Sequence, residues 1–170
     1  MTIVYLSLGS NIDRDVHIRG ALDDLEQAFG PLQISSVYES EAVGFDGDPF
    51  YNLVVAFATD LPPAEIGERL SAIETRHGRT RDSRKFAPRT LDIDLLLYGD
   101  EIVELDHLKL PRADITRYAF MLEPLAEIAG DRSHPTLQRS FAELWQDFDK
   151  RLSRQRRIAF ARTPTPPAAD

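Results

Sequence analysis

Two aspartates stand two residues apart in FAPRTLDIDLLLYG, residues 86–99, shortly after an arginine. On a β-strand, Asp92 and Asp94 share one face, roughly 6.5–7 Å apart. Carboxylates held that close repel each other unless a cation lies between them, and hard oxygen donors of this kind suit Mg²⁺. The competing reading is a solvated strand face that needs no partner. Leu96 and Tyr98 on the same face weigh against it. Just upstream lie Arg76, Arg79, Arg81, Arg84, Lys85 and Arg89, opposed by one acid, Asp82. In a chain of net charge −8 such a cluster suits a small anionic ligand, although a solvated charged loop has the same composition. Magnesium and arginines together are the usual apparatus for holding a polyphosphate.

Other candidates carry weaker signals. Gly9-Ser10-Asn11 sits between a strand and a helix, as a phosphate-binding turn or as plain turn chemistry. Phe45, Phe50 and Tyr51 flank a loop and form either an aromatic pocket or core. Glu74 stands near the end of a helix, where a solvated face is the simpler reading. His17, His77, His107 and His134 show no metal-ligand spacing.

The 170 residues bound the problem to one domain with a sizeable core. With no cysteine, disulfides, thiolate zinc sites and cysteine nucleophiles are excluded. The acidic balance argues against nucleic acid as a partner. An apolar run of membrane-spanning length and a signal-peptide pattern are both missing, so the expectation is a cytoplasmic protein with no membrane contact.

The elements that must position these residues follow from periodicity. Residues 2–9 read as a buried strand, and Asp13 opens a helix with Ile18, Leu22, Leu25 and Phe29 inward. Residues 32–40 and 51–60 read as strands around a Gly- and Pro-containing loop. Pro62-Pro63 begins a second helix with Ile66, Leu70 and Ile73 inward, ending at Gly78. Residues 79–89 have no period and read as a long loop. In the strand at 91–99, Leu91, Ile93, Leu95 and Leu97 are expected on one face, and Asp92, Asp94, Leu96 and Tyr98 on the other. Residues 101–110 suggest a hairpin, 124–129 a helix, and 140–154 an amphipathic helix with Phe141, Leu144, Trp145 and Phe148 inward. The expected fold class is α+β: a ferredoxin-like βαββαβ antiparallel sheet in order 4-1-3-2, with helices and a helical C-terminal extension. Residues 1–160 would form a single domain and 161–170 a disordered Pro-rich tail.

The run APRTLDIDLLLYG closely resembles the signature of the 6-hydroxymethyl-7,8-dihydropterin pyrophosphokinase family of folate biosynthesis. YLSLGSN, FYNLVVAF, IETRHGRTR and LPRADITRYAFMLEPLAEIAGD stand in the order and spacing of that family, and the likeness covers about residues 1–150. The resemblance implies pyrophosphoryl transfer from ATP to the pterin hydroxymethyl group, with AMP leaving and two Mg²⁺ ions assisting. It implies Asp92 and Asp94 as metal ligands and, with Arg79 and Arg89, as the catalytic residues. It places Glu74, Arg79, Arg81, Arg84, Lys85, Phe86, Arg89, Arg112 and Arg117 around ATP. It places Ser40, Val43, Gly44, Phe50, Asn52 and Phe120 around the pterin, and it implies a monomer. This sequence departs from the family at several points. Phe50 stands where many relatives carry tyrosine, Phe86 replaces a tryptophan and Lys85 an arginine. Arg112 occupies a place typical of histidine, and His107 one that arginine can hold. Two rivals remain open on the residues: a two-metal nucleotidyl transferase or cyclase, and a regulatory ligand-binding module.

Overall fold

The computed structural model describes residues 1–41, 47–78 and 90–162. Six of the described strands form one antiparallel sheet: β1 (Thr2–Ser10), β2 (Gln33–Ile34), β3 (Val37–Ser40), β4 (Phe50–Thr59), β5 (Asp92–Tyr98) and β8 (Gln155–Ile158). The order is β5-β1-β4-β3-β8, with β2 also pairing β4. The hairpin expected at 101–110 is present as β6 (Val103–Leu105) and β7 (Leu108–Leu110).

Helices cover both faces. On one lie α1 (Arg14–Phe29) and α2 (Pro63–Arg76), whose apolar stripes meet Val4, Leu6, Leu8, Leu53, Val55, Ile93 and Leu95 in the larger core. On the other lie α3 (Ala119–Ala129) and α4 (Phe141–Asp147), packed on Tyr5, Val54, Ala56 and Leu96. The four principal strands take the expected relative positions because β1 and β4 are apolar on both faces and can be central, whereas β5 turns two acids to one face.

Three expectations are corrected. First, the alternation along β5 breaks. Tyr5 pairs with Leu97 and Leu6 with Leu95, so Leu96 is an extra, bulged residue. An extra residue reverses the face of every side chain after it. Leu97 therefore joins Leu96 against α3 and α4, and Tyr98 crosses to the other core, where its hydroxyl donates to the Leu61 carbonyl at 2.8 Å. Second, the single strand expected at 32–40 is split. The Ser35 hydroxyl accepts the Val54 N–H (2.9 Å), and the Ser36 N–H turns to Glu127 Oε2 on α3 (2.8 Å).

Third, the C-terminal part is only partly helical. Ser140 caps α4 by accepting the Glu143 N–H, but the helix ends at Asp147, and the Lys150 ammonium binds the Gln146 carbonyl in its last turn and the Phe148 carbonyl just past it. The chain then forms β8 along β3, and Arg157 reaches Tyr38 and Glu127. Beyond it, the Arg19 Nε donates to the Ala161 carbonyl (2.9 Å) and Arg162 pairs with Asp23 and Glu26 on α1. Ala161 and Arg162, expected in a disordered tail, thus belong to the folded body; the rest of that tail lies outside the described residues.

Two histidines should make the fold sensitive to acid. Buried His134 uses Nδ1 to accept the N–H groups of Thr136 and Leu137, both at 3.2 Å, and burial lowers its pKa below the ordinary 6.5. The pKa of His17 is lowered by burial and then by His77, whose Nδ1 lies 2.8 Å from its own. Both groups are neutral in the folded chain where the unfolded chain would bind a proton. Their contribution is complete above the ordinary histidine range and is lost as pH falls through and below it. Thermal unfolding midpoints should therefore drop between about pH 7.5 and about pH 5.5. His134→Gln should flatten that slope; a midpoint independent of pH across this window would refute the linkage.

Candidate active site

The register of β1 brings the candidate residues into line. Gly9 pairs with Asp92 on one side and Asn52 on the other, while Ser7 pairs with Asp94 and Val54. Cross-strand partners point to the same face, so Asp92, Gly9 and Asn52 form a row across β5, β1 and β4. That face is the one carrying α3. The acid and the amide stand two strand spacings apart, about 9.5 Å along the sheet. Gly9 contributes no side chain between them.

Gly9 is glycine for a steric reason. A Cβ there would lie 2.9 Å from Asn52 Oδ1 and 3.7 Å from Phe50 Cδ1. Asn52 is buried, and its Nδ2 donates to Ser40 Oγ at 2.7 Å. Ser40, Phe50 and Asn52 are therefore gathered at one end of β3 and β4. Ser10 belongs to β1, its hydroxyl bonding to the Ile12 carbonyl, and Asn11 Nδ2 donates to the Asp48 carbonyl. These contacts give the Gly9-Ser10-Asn11 turn a structural role. Tyr51 departs from the aromatic-pocket reading: it faces α1, with the Arg14 guanidinium 3.9 Å from its ring centroid.

The acidic end of the row is tied on two sides. Glu74, near the end of α2, accepts the Ile93 N–H at 2.9 Å through Oε2. Ile93 lies between the two aspartates on an edge strand, so Glu74 satisfies a backbone donor there and ties α2 to their strand. On the other side the bulged Leu96 offers its carbonyl to the Arg112 N–H (3.0 Å). The Arg112 side chain then lies 3.5 Å from Asp94 and 3.2 Å from Asp114. Arg117 is exposed at the end of a short 3₁₀ turn, Ala113–Thr116. Half-buried Phe120, in the first turn of α3, stacks on Tyr118 with ring centroids 5.1 Å apart.

Arg79, Arg81, Arg84, Lys85, Phe86 and Arg89 lie outside the described residues, as do Val43 and Gly44. Among the described residues no group of three or more histidine, cysteine or acidic side chains could hold a metal by itself. Asp92 and Asp94 fit magnesium, which typically takes one or two carboxylates and fills its shell with phosphate oxygens and water.

Comparisons with known proteins identify the family. Residues 5–130 match the family described as 7,8-dihydro-6-hydroxymethylpterin-pyrophosphokinase, HPPK. The chain belongs to this family. The Aquifex aeolicus 2-amino-4-hydroxy-6-hydroxymethyldihydropteridine pyrophosphokinase is 38% identical over 145 residues, covering 84% of this chain and 90% of that protein. The Bacillus subtilis protein of the same name is 42% identical over 130 residues, covering 74% and 77%. Among solved structures, Plasmodium falciparum HPPK-DHPS with pterin and p-hydroxybenzoate superposes with a TM-score of 0.74 at 16% identity. That match covers 92% of this chain but 46% of the solved one, so the chain spans under half of that longer protein. At such low identity the likeness concerns the fold.

The HPPK match runs from β1 into the turn after α3 and so includes every candidate site residue from Ser40 to Phe120. Strand β8 lies beyond it. What sequence reasoning missed within the match is Glu74's bond to Ile93 and the close approach of Gly9 to Asn52. The second had a signal, since a glycine at the end of an otherwise apolar strand marks a close neighbour.

Proposed function

We propose a division of labour across the Asp92–Gly9–Asn52 row for the activity that family membership gives this chain. That activity is transfer of pyrophosphate from ATP to 6-hydroxymethyl-7,8-dihydropterin in folate biosynthesis. Asp92 and Asp94 hold Mg²⁺, two ions on this reading. Arg79, Arg81, Arg84, Lys85, Arg89, Arg112 and Arg117 bind the phosphates, with Glu74 and Phe86 completing the ATP side. Ser40, Val43, Gly44, Phe50, Asn52 and Phe120 hold the pterin, Asn52 by its polar edge and the phenylalanines by stacking.

The single observation that carries this arrangement is the register placing a carboxylate and a buried amide on one sheet face, either side of a glycine. A pterin fixed at the Asn52 end presents its hydroxymethyl oxygen toward a triphosphate held at the Asp92 end. That oxygen attacks the β-phosphorus, the pyrophosphoryl group moves as a unit and AMP leaves. Bound magnesium supplies charge neutralisation of the triphosphate. The side chains supply position, and orientation with charge complementarity accounts for most of the barrier reduction in phosphoryl transfer. Arg112 is already paired with Asp94 and Asp114, so ATP must compete with those carboxylates for its guanidinium.

On the same reading the sheet core is ferredoxin-like, the chain acts as a monomeric single domain, and it works in the cytoplasm. No helix among the described residues is long and apolar enough to cross a membrane.

The deciding experiment identifies the nucleotide product from ATP, Mg²⁺ and 6-hydroxymethyl-7,8-dihydropterin. AMP should form one for one with the pterin diphosphate and only with magnesium present. ADP would mean simple kinase chemistry, and released pyrophosphate would mean nucleotidyl transfer; either would sink the assignment.

A further inference from the structure

One guanidinium grips the back of the proposed pterin site. Arg14 is the first residue of α1, reached through Asp13 in the left-handed conformation (φ 45°). Its Nη1 donates to the Pro49 carbonyl at 2.8 Å, and its Nη2 lies 2.9 Å from Glu39 Oε2. Its Cζ sits 3.9 Å from the centre of the Tyr51 ring. Glu39 and Tyr51 are cross-strand partners on β3 and β4, and Ser40 and Phe50 are the next pair. Side chains alternate along a strand, so Glu39 and Tyr51 face α1 while Ser40, Phe50 and Asn52 face the opposite way. Arg14 therefore never reaches the proposed substrate face. It holds the two strand ends that build it.

The placement runs against local preference. A cation in the first turn of a helix opposes the helix dipole, and no acid on α1 itself is bonded to Arg14. Its partners all come from β3, β4 and the residue before β4. Side-chain exposures of 28% for Arg14 and 19% for Glu39 mean that the pair is largely shielded from water, where such contacts count for more than at an open surface. A planar guanidinium can accept this combination of ion pair, carbonyl bond and ring stacking at once, which an ammonium cannot. Asn11 Nδ2 adds a parallel grip on the Asp48 carbonyl (3.1 Å), and the other oxygen of Glu39 is held by Arg156 at 3.1 Å.

We propose that Arg14 is a positioning residue for pterin recognition: from the reverse face of the sheet it locks the ends of β3 and β4 that carry Ser40, Phe50 and Asn52. This rests on the assignment of the pterin to those three residues. The acidic end of the row has its own ties, through Glu74 and Arg112, so the effect is confined to one substrate.

Steady-state kinetics on the full-length chain test this. Arg14→Ala should raise the KM for 6-hydroxymethyl-7,8-dihydropterin about tenfold and leave kcat and the KM for ATP within about twofold. Arg14→Lys keeps a charge for Glu39 but loses the flat stack, and should recover part of the loss. Should Arg14→Ala not fold, Glu39→Gln preserves shape and should shift the pterin KM in the same direction. An unchanged pterin KM in these variants, or equal rises for pterin and ATP, would overturn the inference while leaving the activity in place. A wild-type chain that turns over no pterin would overturn the functional assignment and this inference with it.

Discussion

Asp92→Asn and Asp94→Asn should each lower pyrophosphoryl transfer by about two to three orders of magnitude, the scale seen when a preorganised charge-stabilising group is removed. The fold should stay intact. Both side chains are only partly buried, and asparagine preserves shape while the backbone of β5 stays paired to β1. Among the described residues, the salt bridge lost in Asp94→Asn is the 3.5 Å contact with Arg112, which keeps its closer partner Asp114 at 3.2 Å, so little stability goes with it. What disappears is the oxygen charge that a hard cation requires. The two variants should also differ. Asp94→Asn also frees Arg112 from one of its two carboxylates, so its KM for ATP should change the more of the two. Initial rates over a magnesium titration, with circular dichroism to confirm folding, decide the matter. Near-wild-type turnover in either variant would remove that residue from the metal site.

How far the sequence reveals this arrangement depends on whether the controlling interaction is local. Asp92 and Asp94 were legible because period two is a property of the strand itself. The reversal after Leu96 was not, because a bulge arises from how β5 registers on Tyr5 and Leu6, some ninety residues earlier in the chain. Strand β8 was hidden for a similar reason. Gln155–Ile158 has no apolar alternation, and it is held at the sheet edge by partners contributed from elsewhere: Arg156 on Glu39, and Arg157 on Tyr38 and Glu127. The helices α1 and α2 were legible because their apolar stripes and their stops, Gly30 and Gly78, lie in or beside each segment. The site divides along the same line. The acids announced themselves by spacing, whereas Asn52 entered only through resemblance to a family. The burial of Asn52, its bond to Ser40 and its neighbour Gly9 exist only once β1, β3 and β4 are aligned. The same holds for Arg14, which looks like any surface arginine until the ends of β3 and β4 are brought beneath α1.

Gly9→Ala tests that alignment most directly. The new methyl carbon would lie 2.9 Å from Asn52 Oδ1, closer than real Cβ contacts come, so one of them must move. β1 is central, paired along its length to both β4 and β5, so its backbone is the stiffer party. The Asn52 amide must rotate instead, and in doing so it gives up the 2.7 Å bond to Ser40. If Asn52 reads the pterin as proposed, an amide turned away leaves that substrate's polar edge unpaired, which costs about 1.5–3 kcal/mol. The pterin KM should therefore rise about tenfold to a hundredfold, with ATP binding preserved at the far end of the row. Gly9→Val should be worse in the same sense. Adding Asn52→Ala to Gly9→Ala should cause little further loss, because both changes remove the same contact; two full, additive losses would mean that Gly9 and Asn52 act separately. An unchanged pterin KM in Gly9→Ala would mean that the Asn52 amide is not what holds the pterin, and the division of labour along the row would fail with it.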